Sequence, residues 1–571
     1  MNNLNKIFEN QKNKLKDKPL FWHKRNSEWV SISWNEANQQ INILSEFLKT
    51  LDIRKGDKIC IISKNSPFWC ISDLAIMKIG AVTVPAYTTS NEDELVYLLN
   101  HSESKLAFID NDALIKIQKI KKNLNFIKNF ILFESLKISK DKNFYFSYEN
   151  ILKRNPNEKK LIRKHDHKVN KKDTACIIYT SGTSANPKGV MLSHESIISN
   201  ILGAKKFLDD IKMKDHKFLS ILPLSHAYER TGGFLLPILI GGQIYFNSNR
   251  DHLLNDLKFV NPTIMVAVPR LYDVLLKKIT TSIKSKNKII KYLFETNLII
   301  GNKIYKKDKI SLKEKFLDKI INVTIRKKIK QLFGKNLLAF VSGGAALNKT
   351  SAIFFNSMGI KILQGYGQTE YSPIISVNPL NKIKLDKVGK PINDTEIKIS
   401  KENEILVKGK SLMQGYWKDK RSTNKTIING WLHTGDLGNI DDDNYLKILG
   451  RKNEMIVNSG GENISPTHIE ELILNNDEID QVMIYGHGKP YLVALIYPNK
   501  ENKINYNISI QALLYQLNKK MSPEKRVRKF FLLSEPFSTK NNQLTPTLKL
   551  KRRIIVKNYY HELENMYINE P

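Results

Sequence analysis

The chain has 571 residues, too many for one hydrophobic core, so at least two domains are expected. Its 41% hydrophobic content excludes a disordered protein, and three cysteines (Cys60, Cys70, Cys176) without metal-ligand spacing exclude a disulfide framework. The net charge of +35 points to anionic partners, yet lysines are scattered along the whole length without a nucleic-acid recognition motif, so nucleic acid is not expected.

The start, Met1-Asn-Asn-Leu-Asn-Lys6, lacks the apolar core of a signal peptide, and a reducing, cytoplasmic setting is expected. Trp34 to Leu51 reads as an amphipathic helix, and Lys58–Ser63 and Ala81–Pro85 read as strands. This alternation predicts an α/β architecture with parallel sheets, interrupted by a charged surface connection at 153–172. A buried strand, Ala175–Tyr179, then opens into Thr180-Ser-Gly-Thr-Ser-Ala-Asn-Pro-Lys-Gly189. Glycines and hydroxyls crowded beside one lysine can wrap a polyphosphate, with Lys188 as a point charge. The order differs from a G-x-x-x-x-G-K-[ST] loop, because the lysine precedes the last glycine and no Ser or Thr follows it. Ser193 and His194 read as a local helix cap. The apolar run Gly233–Gly241 is broken by Pro237 and too short to span a bilayer.

Residues 276–332 are rich in lysine and poor in glycine, with Ile289, Ile290, Leu293, Phe294 and Ile300 at helical spacing. They read as a helical insertion: either a solvated excursion or a basic face touching anionic membrane. The α/β pattern continues to about 449 and restarts beyond it. Ser465 and Pro466 suit a helix start, and Gln481–Tyr485 and Tyr491–Tyr497 suit strands. A large domain, 1–449, followed by a small one, 450–571, is expected.

Taken in order, the loop at 180–189, Leu222-Pro-Leu-Ser-His-Ala-Tyr-Glu-Arg230, Val268–Tyr272, Val341-Ser-Gly-Gly-Ala-Ala-Leu347, Gln364-Gly-Tyr-Gly-Gln-Thr-Glu370, Gly430–Gly438, Gly450–Pro466 and Leu544–Arg552 closely resemble the adenylate-forming superfamily of acyl-CoA synthetases. The resemblance spans about residues 20–555. The Tyr-Glu-Arg run and the final motif look most like its long-chain fatty acyl-CoA synthetase branch.

The resemblance implies a large, multi-subdomain N-terminal α/β region and a small, mobile C-terminal α/β domain. It implies ATP, Mg²⁺ and CoA as cofactors, and a long-chain fatty acid as the acid activated. Transfer to acyl-carrier protein in place of CoA is the alternative. It further implies that Thr180, Ser181, Gly182, Thr183 and Lys188 hold the β- and γ-phosphates, with Thr183 and Glu370 at the metal and Thr369 at the α-phosphate. Gly343, Gly344, Ala345, Tyr366 and Gly367 would receive adenine, Asp436 the ribose hydroxyls, and Arg451 ribose or phosphate. His226 would lie beside the reacting carboxylate, with Tyr228, Glu229 and Arg230 at an acyl tunnel. Gly460 and Gly461 would let the pantetheine arm of CoA pass.

Counting four residues from Thr547 makes Lys551 the catalytic lysine, with Lys549 as the alternative. Ser184-Ala185 and Asn453 depart from the family pattern without removing a catalytic group. Analogy with long-chain members implies a homodimer; the setting expected is cytoplasmic, with the basic helical face as the basis for peripheral contact at the inner face of a membrane.

Overall fold

The computed structural model describes residues 3–134, 144–154, 168–180, 186–208, 215–247, 252–460, 462–476, 478–499, 506–545 and 548–568. The chain forms two compact units. One comprises Met1–Lys398, Leu406–His433 and Asp441–Leu446; the other comprises Ile399–Ile405, Thr434–Ile440 and Lys447–Pro571.

The first unit is built on three sheets. The largest has eight strands, in the order Gly415–Tyr416, Lys188–Ser193, Thr174–Thr180, Val82–Ala86, Lys58–Ile62, Ser104–Ile109, Asn129–Leu132 and Tyr145–Ser147. Its centre is parallel, with Lys58 beside Val82 and Ile62 beside Ala86. Such strands are covered on both faces, so they are nearly continuous apolar runs. The Lys188 and Gly415 strands at one edge run antiparallel to their neighbours.

Helix Trp34–Thr50 starts where Ser33 and Glu36 make a reciprocal capping box, and it buries Ile41, Leu44, Phe47 and Leu48. A second sheet carries Ile264–Ala267, Ala339–Ser342 and Lys361–Gly367 in parallel, followed by antiparallel Ile374–Val377 and Lys390–Pro391.

Between 269 and 332 the chain is helical: Pro269–Lys284, Lys288–Lys306, Leu312–Ile321, a wide π turn at Asn322–Arg326, and Lys327–Leu332. These helices share a core with the second sheet through Phe294, Ile300, Ile321, Ile325, Ile329, Phe340 and Ile362. Of the apolar residues at helical spacing, Phe294 and Ile300 are buried and Ile289 is exposed.

The second unit centres on a sheet of Ile479–Tyr485, Leu492–Pro498 and Val527–Leu532. The helix Pro466–Leu474 begins after Ser465, whose hydroxyl makes no capping bond. Arg552 grips that helix through a bidentate pair with Glu470, at 2.7 and 2.6 Å.

Candidate active site

In the first unit the phosphate-type loop joins two antiparallel strands, with Thr180 directly across from Lys188. Ser181, Gly182, Thr183, Ser184 and Ala185 lie outside the described residues. The Lys188 ammonium donates to Ser422 Oγ at 2.7 Å and sits 5.0 Å from the centre of the Tyr416 ring. The Tyr416 hydroxyl donates in turn to Glu370 Oε1 at 2.9 Å. Burial, and then the Glu370 carboxylate, hold the Tyr416 hydroxyl well above its ordinary range, so it remains a donor. Lys188 and Glu370, far apart in sequence, thus meet through one tyrosine.

Neither Tyr416 nor Ser422 stood out in the sequence. The available signal was Gly415-Tyr416, the same glycine–aromatic pairing that marked Tyr366. Tyr416 arrives by antiparallel pairing with Val190, beside the loop strand.

The strand Lys361–Gly367 ends in the tight turn Thr369–Tyr371, which carries Thr369 and Glu370. A Cβ on Gly367 would fall 2.0 Å from the Pro373 carbonyl oxygen, so only glycine allows that turn. Gly343 makes a second close approach, because a Cβ there would meet the Tyr228 ring at 3.0 Å. The Tyr228 hydroxyl donates to the Val341 carbonyl at 2.8 Å, which fixes the ring beside this shoulder. Gly344 follows at φ +84°, and Ala345 is exposed.

His226 caps the short helix Ala227–Glu229: its Nδ1 accepts from the Tyr228 N–H at 3.1 Å, so the neutral ring carries its proton on Nε2. Asn65 holds the preceding loop, donating to Ser220 Oγ and the Leu222 carbonyl and accepting from the Leu224 N–H.

Two residues expected at an acyl tunnel or its entrance bond within the core. Arg230 is buried and forms a two-point pair with Asp73, at 2.9 and 3.1 Å. The Glu229 carboxyl is buried and accepts from Ser220 Oγ at 2.6 Å; burial pushes its pKa up to about 8. Arginine in an interior needs its counter-charge, and Asp73 supplies it. His194 is likewise interior: it accepts from the Leu4 N–H at 3.3 Å, while Ser193 provides the helix cap.

In the second unit Asp436 is buried and accepts from Arg451 Nε at 2.8 Å. Its turn is pinned by Thr434 Oγ1, which accepts from the Asp436 N–H at 3.1 Å and donates to the Ile405 carbonyl at 2.7 Å. Lys549 lies within the electrostatic reach of this pair. The residue as a whole is open to solvent, but protein crowds its ammonium. That crowding, then the Arg451 charge, hold it below the ordinary lysine range, while Asp436 and Glu454 pull the other way. Lys551 donates instead to Asn542 Oδ1 at 2.5 Å.

Gly460 lies in a loop whose Asn458 Oδ1 accepts from the Glu462 N–H at 2.9 Å, and Asn453 sits in the tight turn Lys452–Glu454. Gly461 and Thr547 lie outside the described residues.

Among the described residues there is no cluster of three or more His, Cys, Asp or Glu side chains that could hold a metal. This suits Mg²⁺, which keeps waters and uses one or two carboxylates together with substrate phosphates. The half-buried Glu370 near Lys188 and the glycine shoulders at 343 and 367 fit a nucleotide with such an ion.

The family models and the relatives define an adenylate-forming ligase. The chain belongs to the AMP-binding enzyme family: the family model matches residues 8–417, and that of the AMP-binding enzyme C-terminal domain matches 453–571. AMP-binding ligases use ATP, Mg²⁺ and CoA. The chain is 28% identical to the long-chain-fatty-acid–CoA ligase FadD15 of Mycobacterium bovis, covering 95% of this chain and 93% of that one. It is 29% identical to the chloroplastic long-chain-fatty-acid–[acyl-carrier-protein] ligase AEE15 of Arabidopsis thaliana, over 94% of this chain and 83% of that one. In fold it matches the anthranilate CoA ligase AuaEII, solved with anthranoyl-AMP, with TM-score 0.75, 18% identity and coverage of 97% and 96%. Among the described residues no helix is long and apolar enough to cross a membrane.

Proposed function

We propose that this protein activates a long-chain fatty acid with ATP and transfers the acyl group to CoA. The observation that carries this reading is similarity to long-chain-fatty-acid–CoA ligases along nearly the whole chain, with a polar constellation suited to the chemistry in each unit. A carboxylate oxygen attacks the α-phosphorus of ATP; the acyl–O–P bond forms and pyrophosphate leaves. The CoA thiolate then attacks the acyl carbonyl carbon, forming the C–S bond as AMP departs.

The first step needs positioning and charge neutralisation more than a protein nucleophile. Thr180 and Lys188 bind the β- and γ-phosphates, and Tyr416 orients Glu370. Glu370 would hold Mg²⁺ there, and the ion would neutralise phosphate charge. Thr369 donates to the α-phosphate, Tyr366 and the Gly343–Ala345 shoulder receive adenine, and Asp436 with Arg451 takes the ribose. His226 presents Nε2–H towards the carboxylate. The region 1–449 binds nucleotide and acid, and 450–571 supplies the lysine and the CoA face with Gly460.

Lys549, not Lys551, is the lysine assigned to the developing charge, because the charges of Arg451 and Asp436 act on it while Lys551 is engaged with Asn542.

Pyrophosphate release measured from acetate to stearate, with and without CoA, tests the reading. Release peaking at long acids with a CoA thioester supports it. The resemblance to the carrier-protein ligase favours a second acceptor. Thioester formed only with acyl-carrier protein would replace CoA by that acceptor. No release with any acid would refute both.

A further inference from the structure

One helix anchors both ends of the segment that carries His226. The helix Pro67–Lys78 is capped by Ser66, and Asn65 stands immediately before that cap. At the near end of the segment, Asn65 Nδ2 donates to Ser220 Oγ at 2.9 Å and to the Leu222 carbonyl at 2.6 Å, while its Oδ1 accepts from the Leu224 N–H at 2.9 Å. At the far end, Asp73 of the same helix accepts from buried Arg230 at 2.9 and 3.1 Å. His226 and Tyr228 lie between the two anchors.

Asn65 follows the strand Lys58–Ile62 of the eight-stranded sheet, and the segment follows Lys217–Ser220 of a four-stranded sheet. The amide therefore joins the carboxyl ends of strands from two sheets, the end at which open α/β folds receive their ligands. Asparagine suits this place because one side chain supplies both donors and an acceptor. An aspartate would set an oxygen against the Leu222 carbonyl, and an alanine would release the Leu224 N–H. Ser220 would then keep only its bond to Glu229, at 2.6 Å. Further along, the His226 N–H bonds the Pro223 carbonyl at 2.9 Å, and the His226 carbonyl accepts from the Arg230 N–H at 3.0 Å. A shift at 222–224 is thus passed directly to the imidazole.

We propose that Asn65 is a positioning residue that acts on the reaction through His226, by fixing where Nε2–H stands relative to the acid's carboxylate. Both of its donors are spent on the segment, so its effect reaches the reacting atoms only through that segment. The inference rests on the reading that places His226 beside the carboxylate, and it deepens that reading. Displacement at phosphorus depends steeply on alignment, so a small misplacement costs a large rate factor.

The test is a double-mutant cycle read as kcat/KM for palmitate in pyrophosphate release. Beside it, amide hydrogen exchange is measured over residues 221–228 of the substrate-free full chain. Asn65→Ala should lower kcat/KM about tenfold, leave the KM for MgATP within about twofold, and speed exchange in that stretch. In a His226→Ala background the same substitution should cost less than about twofold, because the residue it acts through is already gone. Asn65→Asp, of nearly the same size, should behave like Asn65→Ala. Equal losses in both backgrounds would make Asn65 a structural support alone and overturn the proposal. So would unchanged exchange over 221–228, or full kcat/KM in both Asn65 variants. A parent that releases no pyrophosphate with any acid would refute the ligase reading on which the assignment rests; the exchange measurement decides separately whether Asn65 holds the segment.

Discussion

Tyr228-Glu229-Arg230 and Lys549-Leu550-Lys551 are both short runs in which neighbouring polar residues take different duties. In the first, Tyr228 lies against the Gly343 shoulder while Glu229 and Arg230 bond inside the core. In the second, Lys549 lies within the electrostatic reach of the Asp436–Arg451 pair while Lys551 bonds Asn542. Each run carries a family motif, but the local backbone sends its members to different partners. Around 228 the chain coils, so successive side chains point in different directions. Around 549 it turns tightly: the Thr545 N–H bonds the Lys549 carbonyl, Leu548 sits at φ +64°, and Lys551 precedes the helix Arg552–Asn558.

The contrast breaks most visibly at Arg230. Arg230→Leu leaves Asp73 buried without its counter-charge and should cost about 3–5 kcal/mol, read as a shifted denaturant midpoint. Tyr228→Phe removes one hydrogen bond and should cost only about 1 kcal/mol. Next comes the lysine pair. Lys549→Ala should slow pyrophosphate release about 100-fold while sparing thioester formation from supplied acyl-adenylate. Lys551→Ala should change both by about threefold or less. The reverse result would restore the count from Thr547.

Much of the fold was legible. The helix Trp34–Thr50 and the strands Lys58–Ile62 and Val82–Ala86 follow from apolar periodicity, and Ser33 and Glu36 mark the helix start. The helical character of 276–332 was equally plain, but periodicity names apolar positions without saying which of them protein covers: Phe294 and Ile300 are buried and Ile289 is exposed. At the site, the motif residues were visible and their connection was not. Tyr416 reaches Glu370 through strand pairing across more than two hundred residues, which leaves no local pattern. Lys549 and Lys551 were separated by a turn at a leucine with positive φ, which residue type alone does not announce.

Glu229 sharpens the comparison through pH. Its folded pKa is raised from 4.5 to about 8, so its contribution to stability is fully present below 4.5 and is lost as pH rises through about 8. Glu229→Gln cannot ionise. Between about pH 6 and pH 9 its stability should gain about 1–3 kcal/mol on the parent, measured by thermal melts across pH. A constant difference would place no titrating group at that position. A modest effect is expected at Tyr416→Phe, which removes the hydroxyl on Glu370. The KM for MgATP should rise about fivefold with folding intact.

Oxygen tracing tests the central claim most directly. Palmitate labelled with ¹⁸O in its carboxylate is turned over with ATP, Mg²⁺ and CoA, and the nucleotide product is weighed by mass spectrometry. Attack of the carboxylate on the α-phosphorus predicts one ¹⁸O in each AMP released with palmitoyl-CoA. Unlabelled AMP, or ADP with labelled phosphate, would contradict activation through an acyl-adenylate.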